Sequence, residues 1–431
     1  MTARLFAVII GLSTVPIVVA DLLQAPSDAP QPATGSPTPT AKPVATAAPR
    51  PPVVLTDEAR RIHAAALLFD GHNDLPGEIR SKGDSSFDKL DISKPQPQLQ
   101  TDIPRLKQGG LGAQFWSAYV PSSTIKTGGA TRYGLEQIDL VHRMVRRYPD
   151  AFELALTADD IVRIRASGKI ASLIGVEGGH AIENSLGVLR TFHDLGVRYI
   201  TLTHSDTLDW ADSATDEARH GGLTEFGEQV VLEMNRRGML VDISHVSADT
   251  MRDVLRVTRS PVIASHSSAY ALAEHPRNVP DDILREIKPN GGVIMVNFYS
   301  GFVDAQSAII SREAQIRSRE LRATEKDEAA VDEAMKKWFD DHPRPRGTVH
   351  TVVDHIDHIV KVAGIDHVGI GSDFDGVDLL PEQLEDVSCF PYITQELLNR
   401  GYSEPDIHKI LGANALRALR QAESVARDWK N

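Results

Sequence analysis

The strongest constraint on the fold is an alternation of short apolar runs and amphipathic stretches that begins near residue 56. The apolar, β-rich runs end near His72, Tyr119, Glu177, His204, His245, His266, Tyr299 and Asp373. Strands that alternate with helices predict a parallel sheet whose two faces are both covered. Eight such units predict an α/β protein with a (β/α)8 TIM barrel. The alternative is a doubly wound open sheet, which would place a ligand at one switch point and would not need so many strand ends.

One stretch, residues 303–347, interrupts this alternation after the seventh predicted strand. It is highly charged, helical in pattern from Arg312 to Phe339, and then contains proline. We therefore expect a helical insertion after strand seven. Three roles are open for it: a lid, a dimer contact, or a solvated helical excursion.

Residues 1–20 have the pattern of an export signal. Arg4 gives a positive start, residues 5–19 are mostly apolar, and the segment ends in small residues at 18–20. The alternative is an uncleaved membrane anchor, but the run is shorter than the ~20 residues of a membrane-spanning helix and contains Pro16. Export predicts a periplasmic or secreted protein, with membrane contact only if this segment stays uncleaved.

Residues 21–55 are rich in Pro, Ala and Thr and predict a semi-extended linker, so the folded domain is expected at 56–431. The net charge of −13 disfavours nucleic acid and anionic membrane surfaces as partners. Cys389 is the only cysteine, which excludes an intrachain disulfide and a cysteine-based zinc site. The absence of paired cysteines favours a bacterial periplasm over a disulfide-stapled extracellular domain.

Imidazoles and carboxylates mark the ends of the predicted strands, where barrels carry their catalytic groups. Each one alone is compatible with a hydrogen-bonded structural residue or a helix cap. Together they would be costly to bury without a cation, and two divalent ions remove that cost. The predicted ligands are His72, Asp74, Glu177, His245 and His266, with Glu177 as the bridge. The imidazole-rich set favours two zinc ions over magnesium or calcium.

Two such ions acidify a bridging water, and the resulting hydroxide can attack an amide carbon. Asp373 is then the expected general base, which carries the proton to the leaving amine. His204 is expected to stabilise the oxyanion, and Arg277 to pair with a substrate carboxylate, although it is equally compatible with a surface loop. Tyr299 is a further substrate-binding candidate.

The sequence resembles the membrane (renal) dipeptidase family, a branch of the amidohydrolase-type barrels. The resemblance covers residues 56–420 and is carried by Phe69-Asp70-Gly71-His72-Asn73-Asp74, Gly175-Val176-Glu177-Gly178-Gly179, Leu202-Thr203-His204-Ser205, Val241-Asp242-Ile243-Ser244-His245, Ser265-His266-Ser267, Pro276-Arg277-Asn278-Val279 and Gly371-Ser372-Asp373-Phe374-Asp375-Gly376. It implies a (β/α)8 barrel with two zinc ions bridged by Glu177. It also implies hydrolysis of dipeptides with a free C-terminal carboxylate, and substrate contacts from His204, Arg277 and Asp373.

Family members often tolerate a D-residue at the C-terminal side, and some open β-lactam rings. This chain departs from the mammalian members because it has no cysteine pair and a polar end, residues 417–431. A disulfide-linked dimer and a glycolipid anchor are therefore not expected, whereas a non-covalent homodimer remains open. The sequence thus predicts a dizinc dipeptidase. The alternatives are a related metal-dependent hydrolase of N-acyl amino acids or other amides and esters, and a non-catalytic periplasmic binding protein.

Overall fold

The computed structural model describes residues 50–325 and 327–429, so the predicted signal 1–20 and linker residues 21–49 lie outside the described residues. Nine strands are described: β1 (Leu68–Asn73), β2 (Leu111–Tyr119), β3 (Phe152–Leu154), β4 (Ile170–Glu177), β5 (Val197–Thr201), β6 (Leu240–Asp242), β7 (Val262–Ala264), β8 (Val293–Val296) and β9 (Val368–Ile370). All pair in parallel.

The sheet closes into an eight-stranded barrel. Its strands follow the order β2-β1-β9-β8-β7-β6-β5-β4, and β4 then pairs with β2 from Ala171 to Glu177. The short β3 pairs only with the first residues of β4 and stands outside this ring. The predicted (β/α)8 barrel is therefore confirmed, and the doubly wound alternative is wrong because an open sheet has no such closing pair.

Helices cover the outside of the barrel. Those described are α1 (Asp57–Ala65), α2 (Leu75–Gly83), α3 (Ile103–Gln108), α4 (Thr124–Thr127), α5 (Ala130–Arg147), α6 (Ala158–Ala166), α7 (Leu186–Asp194), α8 (Glu225–Arg237), α9 (Ala248–Val257), α10 (Asp281–Asn290), α11 (Ser300–Val303), α12 (Ala305–Thr324), α13 (Glu328–Asp341), α14 (Val349–Val362), α15 (Pro391–Asn399), α16 (Glu404–His408) and α17 (Asn414–Trp429). Side-chain caps set several starts: Thr56, Thr224 and Ser247 accept from backbone N–H groups in the first turn. No helix in this part of the chain is both long and apolar enough to cross a membrane.

The two ends of the barrel are built differently. The last helix, α17, packs Ala415, Ala418 and Leu419 against an interior cluster that includes Phe69 and Phe115. The turn Lys409–Ala413, just before α17, approaches β1 closely at Gly412, where an added Cβ would lie 2.2 Å from the carbonyl oxygen of residue 67. The amino-terminal end of the barrel is thus closed by apolar side chains, which leaves the carboxyl-terminal end for polar chemistry.

Three helices, α11 to α13, lie between β8 and α14, in the region where the sequence predicts an insertion. Arg319 on α12 forms an ion pair of 3.4 Å with Asp216 in the loop after β5. Gln315 on α12 and Phe302 on α11 line the cavity at the mouth of the barrel. This segment therefore contributes to the wall of the mouth.

Residues 50–55, the last part of the predicted linker, lie on the barrel domain. Val53 is buried, and its N–H donates to Gln383 Oε1 at 2.7 Å. Arg50 donates to Asp354 Oδ1 at 2.9 Å. The last residues of the predicted linker therefore already contact the barrel domain a few residues before Thr56, the N-cap of α1.

Candidate metal centre

The nine predicted site residues lie at the carboxyl ends of the barrel strands or in the loops that follow. His72 is in β1 and Asp74 follows it, Glu177 ends β4, His204 follows β5, His245 follows β6, His266 and Arg277 follow β7, Tyr299 follows β8, and Asp373 follows β9. All except His72, which is fully buried, line one cavity of about 650 Å³. The structure therefore brings together side chains that are up to three hundred positions apart.

Glu177 is the centre of this cluster. Its Oε1 lies 3.1 Å from His245 Nε2, 3.6 Å from His266 Nε2 and 3.7 Å from His204 Nε2. Its other oxygen, Oε2, lies 3.4 Å from His72 Nε2. A carboxylate with an imidazole on each oxygen has the arrangement expected of a bridging ligand between two ions.

Three groups of side chains offer ligand atoms within 4.8 Å of one another. They are His72, Glu177 and His266; Glu177, His204 and His245; and His72, Asp74 and Asp373. The five predicted ligands all occur in these groups. His204 and Asp373, which were predicted to act on substrate, are close enough to belong to them as well.

Two close contacts bring metal-donor atoms together. His72 Nε2 is buried and has no hydrogen-bond partner in the described residues, although it lies 3.1 Å from Asp74 Oδ2. The Nε2 atoms of His245 and His266 face each other at 2.9 Å. Buried imidazole nitrogens and carboxylate oxygens that converge in this way are the donor set of a transition-metal site.

Burial sets the charge of these imidazoles. It lowers the pKa of His204, and it lowers the pKa of His245 and His266 well below the usual value, with Arg277 adding to the effect. Neutral imidazole is the form that binds a metal. Burial also opposes charge on His72, but Tyr199, Glu177 and Asp74 outweigh it and raise its pKa. The space around His72 Nε2 therefore favours positive charge.

Asp373 has the properties of a proton acceptor near neutral pH. Burial raises the pKa of this carboxyl to about 7, and the neighbouring carboxylates Asp74 and Glu177 add to the rise against His72. Asn297 donates to Asp373 Oδ2 at 2.7 Å and holds the side chain in place. A base is most effective when its pKa lies near the working pH.

Arg277 is buried rather than a surface loop arginine, and is only 2% exposed. Its guanidinium donates to Ser267 Oγ and to the His266 carbonyl, both at 3.3 Å, and lies over the Phe302 ring. None of the described acidic side chains forms an ion pair with it. Burial lowers its pKa to about 10, so it remains charged at neutral pH. A buried, unpaired guanidinium in a cavity is suited to an anionic ligand.

Tyr299 lines the cavity, but its hydroxyl is already engaged by protein groups. Arg344 Nη1 donates to this hydroxyl at 2.6 Å, and Ser311 Oγ lies 3.3 Å from it. Arg344 also pairs with Asp378 at 2.7 Å. The phenol thus joins the insertion to the mouth of the barrel.

Residues beneath the cluster orient the imidazoles. Tyr199 OH is 2.9 Å from His72 Nδ1, and Ser265 Oγ is 2.8 Å from His266 Nδ1. Ser265 in turn donates to Asp242 Oδ2 at 2.7 Å, while Ser117 donates to Glu177 Oε2 at 3.0 Å. Partners of this kind select the tautomer and the ring orientation of metal ligands.

The sequence motifs did not indicate site roles for Tyr199, Asp242 or Asn297. Asp242 carried a signal, because a carboxylate inside the apolar run before His245 must be hydrogen-bonded when buried. Tyr199 and Asn297 carried none, since which residues they meet depends on strand register. The backbone gives a further sign of function: His245 and Asp373 have φ angles of +66° and +65°, a region that non-glycine residues rarely adopt.

A (β/α)8 barrel with imidazoles and carboxylates at the carboxyl ends of its strands defines a metal-dependent hydrolase. The sequence profile described as membrane dipeptidase (peptidase family M19) matches residues 56–431. The chain belongs to the membrane dipeptidase family, as the sequence motifs predict.

Individual relatives agree with this assignment. The dipeptidase verJ of Clonostachys rogersoniana is 40% identical over 383 residues, which cover 86% of this chain and 88% of that protein. The crystal structure of the probable dipeptidase PvdM of Pseudomonas aeruginosa is 27% identical and covers 86% of this chain and 98% of its own, with a TM-score of 0.74. A Rhodobacter sphaeroides metallo peptidase liganded with a phosphinate mimic of the dipeptide L-Ala-D-Ala is 25% identical over 83% of this chain and 99% of its own, with a TM-score of 0.68.

Proposed function

We propose that this protein is a dizinc dipeptidase that cleaves dipeptides with a free C-terminal carboxylate, including those with a D-residue at that end. The main support for the proposal is that four imidazole Nε2 atoms lie within 3.7 Å of the Glu177 carboxylate. Arg277, which has no ion-pair partner among the described residues, lines the same cavity as Glu177. Membership of the family and the relative liganded with a dipeptide mimic support it.

The residues present fit two zinc ions. His72 and Asp74 would hold one ion, His245 and His266 would hold the other, and Glu177 would bridge them. The buried, unpartnered His72 Nε2 and the close approach of the His245 and His266 nitrogens support this division. When bound, such ions acidify a water molecule and polarise the amide carbonyl.

The protein's own groups supply binding, orientation and proton transfer. Arg277 binds the substrate carboxylate and places the amide bond over the cluster. Asp373 accepts a proton as water adds to the carbonyl carbon, and returns it to the nitrogen as the C–N bond breaks. His204, close to Glu177 and stacked 4.3 Å from the His245 ring, donates a hydrogen bond to the developing oxyanion. We also propose export to the periplasm or medium and action as a monomer or a non-covalent dimer.

The test is a substrate panel combined with metal analysis. Purified protein is assayed on L,L and L,D dipeptides, on an N-acetylated amino acid and on a C-terminally amidated dipeptide, before and after chelation. We expect hydrolysis of free dipeptides, loss with the chelator, recovery with Zn²⁺ and about two ions per chain. Cleavage of the N-acetyl amino acid without any cleavage of dipeptides would contradict the proposal and favour the related N-acyl hydrolase.

A further inference from the structure

One wall of the mouth takes no part in the mechanism above. Gly77, Glu78 and Ser81 of α2 and Tyr133 and Gln137 of α5 line the same cavity as the metal centre. We call these five residues the α2–α5 wall. Its polar side chains come from two neighbouring helices, and none of them belongs to the predicted ligand set.

Gln137 is the most unusual residue of this wall. It lies on the buried face of α5 with Ile138 and Val141, and its side chain is fully buried. Neither its Oε1 nor its Nε2 has a hydrogen-bond partner in the described residues. Buried amides are nearly always hydrogen-bonded, because an unpaired one loses its bonds to water without replacement. An amide that lacks protein partners and lines a cavity is placed to bond a ligand.

Gly77 leaves room in front of this wall. It is the third residue of α2, and a Cβ added there would have nothing within 4 Å. Its φ is not positive, so the backbone does not require glycine. Since alanine is the better helix former at such a position, neither packing nor conformation accounts for the glycine. The space it leaves opens into the cavity and is suited to a ligand group.

The position of the wall indicates which part of the substrate it meets. Arg277 follows β7, whereas α5 follows β2, four strands away around the ring of eight. The two features therefore stand on opposite sides of the mouth. If Arg277 binds the C-terminal carboxylate, the N-terminal residue of a dipeptide extends towards the α2–α5 wall.

We propose that the α2–α5 wall is the pocket for the side chain of the substrate's N-terminal residue, and that Gln137 selects a hydrogen-bonding, non-acidic side chain there. The inference rests on the proposed dipeptidase function and names its substrate class more narrowly. The amide of Gln137 both donates and accepts, so it matches amide, hydroxyl and basic side chains. Asp375, with Asp74 close by, and Glu78, which pairs with Lys82, line the same cavity, and this excess of carboxylates disfavours an acidic side chain.

The first test compares Asn-Gly with Leu-Gly, whose N-terminal side chains are similar in shape and differ in hydrogen bonding. For the wild type we expect kcat/KM to be about tenfold higher for Asn-Gly, because Leu leaves the buried amide unpaired. Gln137→Met keeps the side-chain length without the amide, and should bring this ratio to about one or lower. Gln108→Met, on the exposed surface of α3, is the matched control and should keep the wild-type ratio.

The second test fills the space at Gly77. Gly77→Leu should lower kcat/KM for Asn-Gly relative to Gly-Gly by about tenfold, because the larger N-terminal side chain competes for the same volume. Gly187→Leu, near the start of α7 and exposed, is the control and should leave this ratio unchanged. This variant keeps the inference testable if Gln137→Met does not fold.

The outcomes distinguish the proposed pocket and its Gln137 from the proposed dipeptidase activity. If the wild type cleaves dipeptides but does not prefer Asn-Gly over Leu-Gly, or if that preference survives Gln137→Met, Gln137 does not have the proposed role and the dipeptidase proposal still stands. If Gly77→Leu keeps the wild-type ratio of kcat/KM for Asn-Gly to kcat/KM for Gly-Gly, the α2–α5 wall is not the pocket for the N-terminal side chain. Failure of the metal-loaded wild type to cleave any dipeptide removes both proposals.

Discussion

The buried polar groups of α14 and those of the barrel mouth solve the same electrostatic problem in different ways. On α14, His355 is fully buried, yet Nδ1 accepts from the Ala269 N–H and Nε2 lies near the Val303 carbonyl, both at 3.0 Å. At the mouth, His72 Nε2 is equally buried and has no such partner. A chain that satisfies a buried imidazole with its own backbone elsewhere leaves this one available to a ligand.

The contrast extends to charged side chains. Arg400, which packs against α14, pairs with Asp354 at 2.7 Å, Asp357 at 2.6 Å and Glu396 at 2.8 Å. Arg277 at the mouth forms no ion pair with a described acidic residue and is more deeply buried. A buried charged group without an ion-pair partner among the described residues therefore distinguishes the functional cluster from the structural one, in which the charges are paired.

The largest effect should come from the centre of the mouth. Glu177→Gln removes the charge that both halves of the site share, so we expect loss of metal and a drop of at least about 10³-fold in kcat/KM. Metal content and dipeptide kinetics measure this. Glu404→Gln, which breaks an exposed pair with Arg61, is the control and should change neither. Full metal content in Glu177→Gln would remove the bridging role.

Asp373→Asn should be nearly as severe for turnover but should spare the metals. The amide is similar in size and keeps a contact to Asn297, but it cannot accept a proton, so kcat should fall about 10²–10⁴-fold. Metal analysis together with kcat distinguishes the roles. Metal loss in this variant would show that Asp373 is a ligand, as its grouping with His72 and Asp74 allows.

Arg277→Met should weaken substrate recognition and leave the chemistry in place. Removal of one partner of a buried charge pair typically costs ~2–5 kcal/mol, so we expect kcat/KM for free dipeptides to fall about 10²-fold or more. The C-terminally amidated dipeptide serves as the control, because it offers no carboxylate to lose. An equal loss for both substrates would argue against carboxylate binding.

The smallest effect concerns the structural side of the comparison. Burial lowers the pKa of His355 to about 4 from its usual 6.5. As the pH falls, His355 is protonated in the unfolded chain at a higher pH than in the folded protein. The contribution of the neutral, buried His355 to stability is therefore lost as pH falls from about 6.5 to 4. By linkage the loss between pH 7 and pH 5 is at most about 2 kcal/mol. Urea unfolding of metal-free protein at pH 7 and pH 5 measures it, and His355→Gln should flatten the dependence.

The barrel could be predicted because hydrophobic runs and helix signals are local in the sequence. The strand-end rule then placed His72, Glu177, His245 and His266 together without knowledge of any contact. What could not be predicted depends on register and rotamers. The short β3, Phe152–Leu154, has too few residues to show a period, and the partnership of Asn297 with Asp373 joins loops after different strands.

The sequence also could not predict that the side-chain amide of Gln137 is buried without a hydrogen-bond partner. A glutamine on an amphipathic helix is ordinarily solvent-facing or bonded to a neighbour, and only the packed structure shows it buried without either. Arg277 illustrates the same limit, since its sequence neighbourhood fits a surface loop as well as a cavity. Tertiary packing decided both cases.

The closure of the barrel has a consequence for how the molecule is made. Asp70 in β1 accepts hydrogen bonds from Ser372, which lies 302 positions away and just after β9. The last helix, α17, packs against the amino-terminal end of the barrel. The entropy of closing such a long loop must be offset before these pairings add stability, so we expect them to form late. Folding must therefore wait until nearly the whole polypeptide has been synthesised, and removal of the final helix should yield an aggregation-prone intermediate in place of a smaller working enzyme.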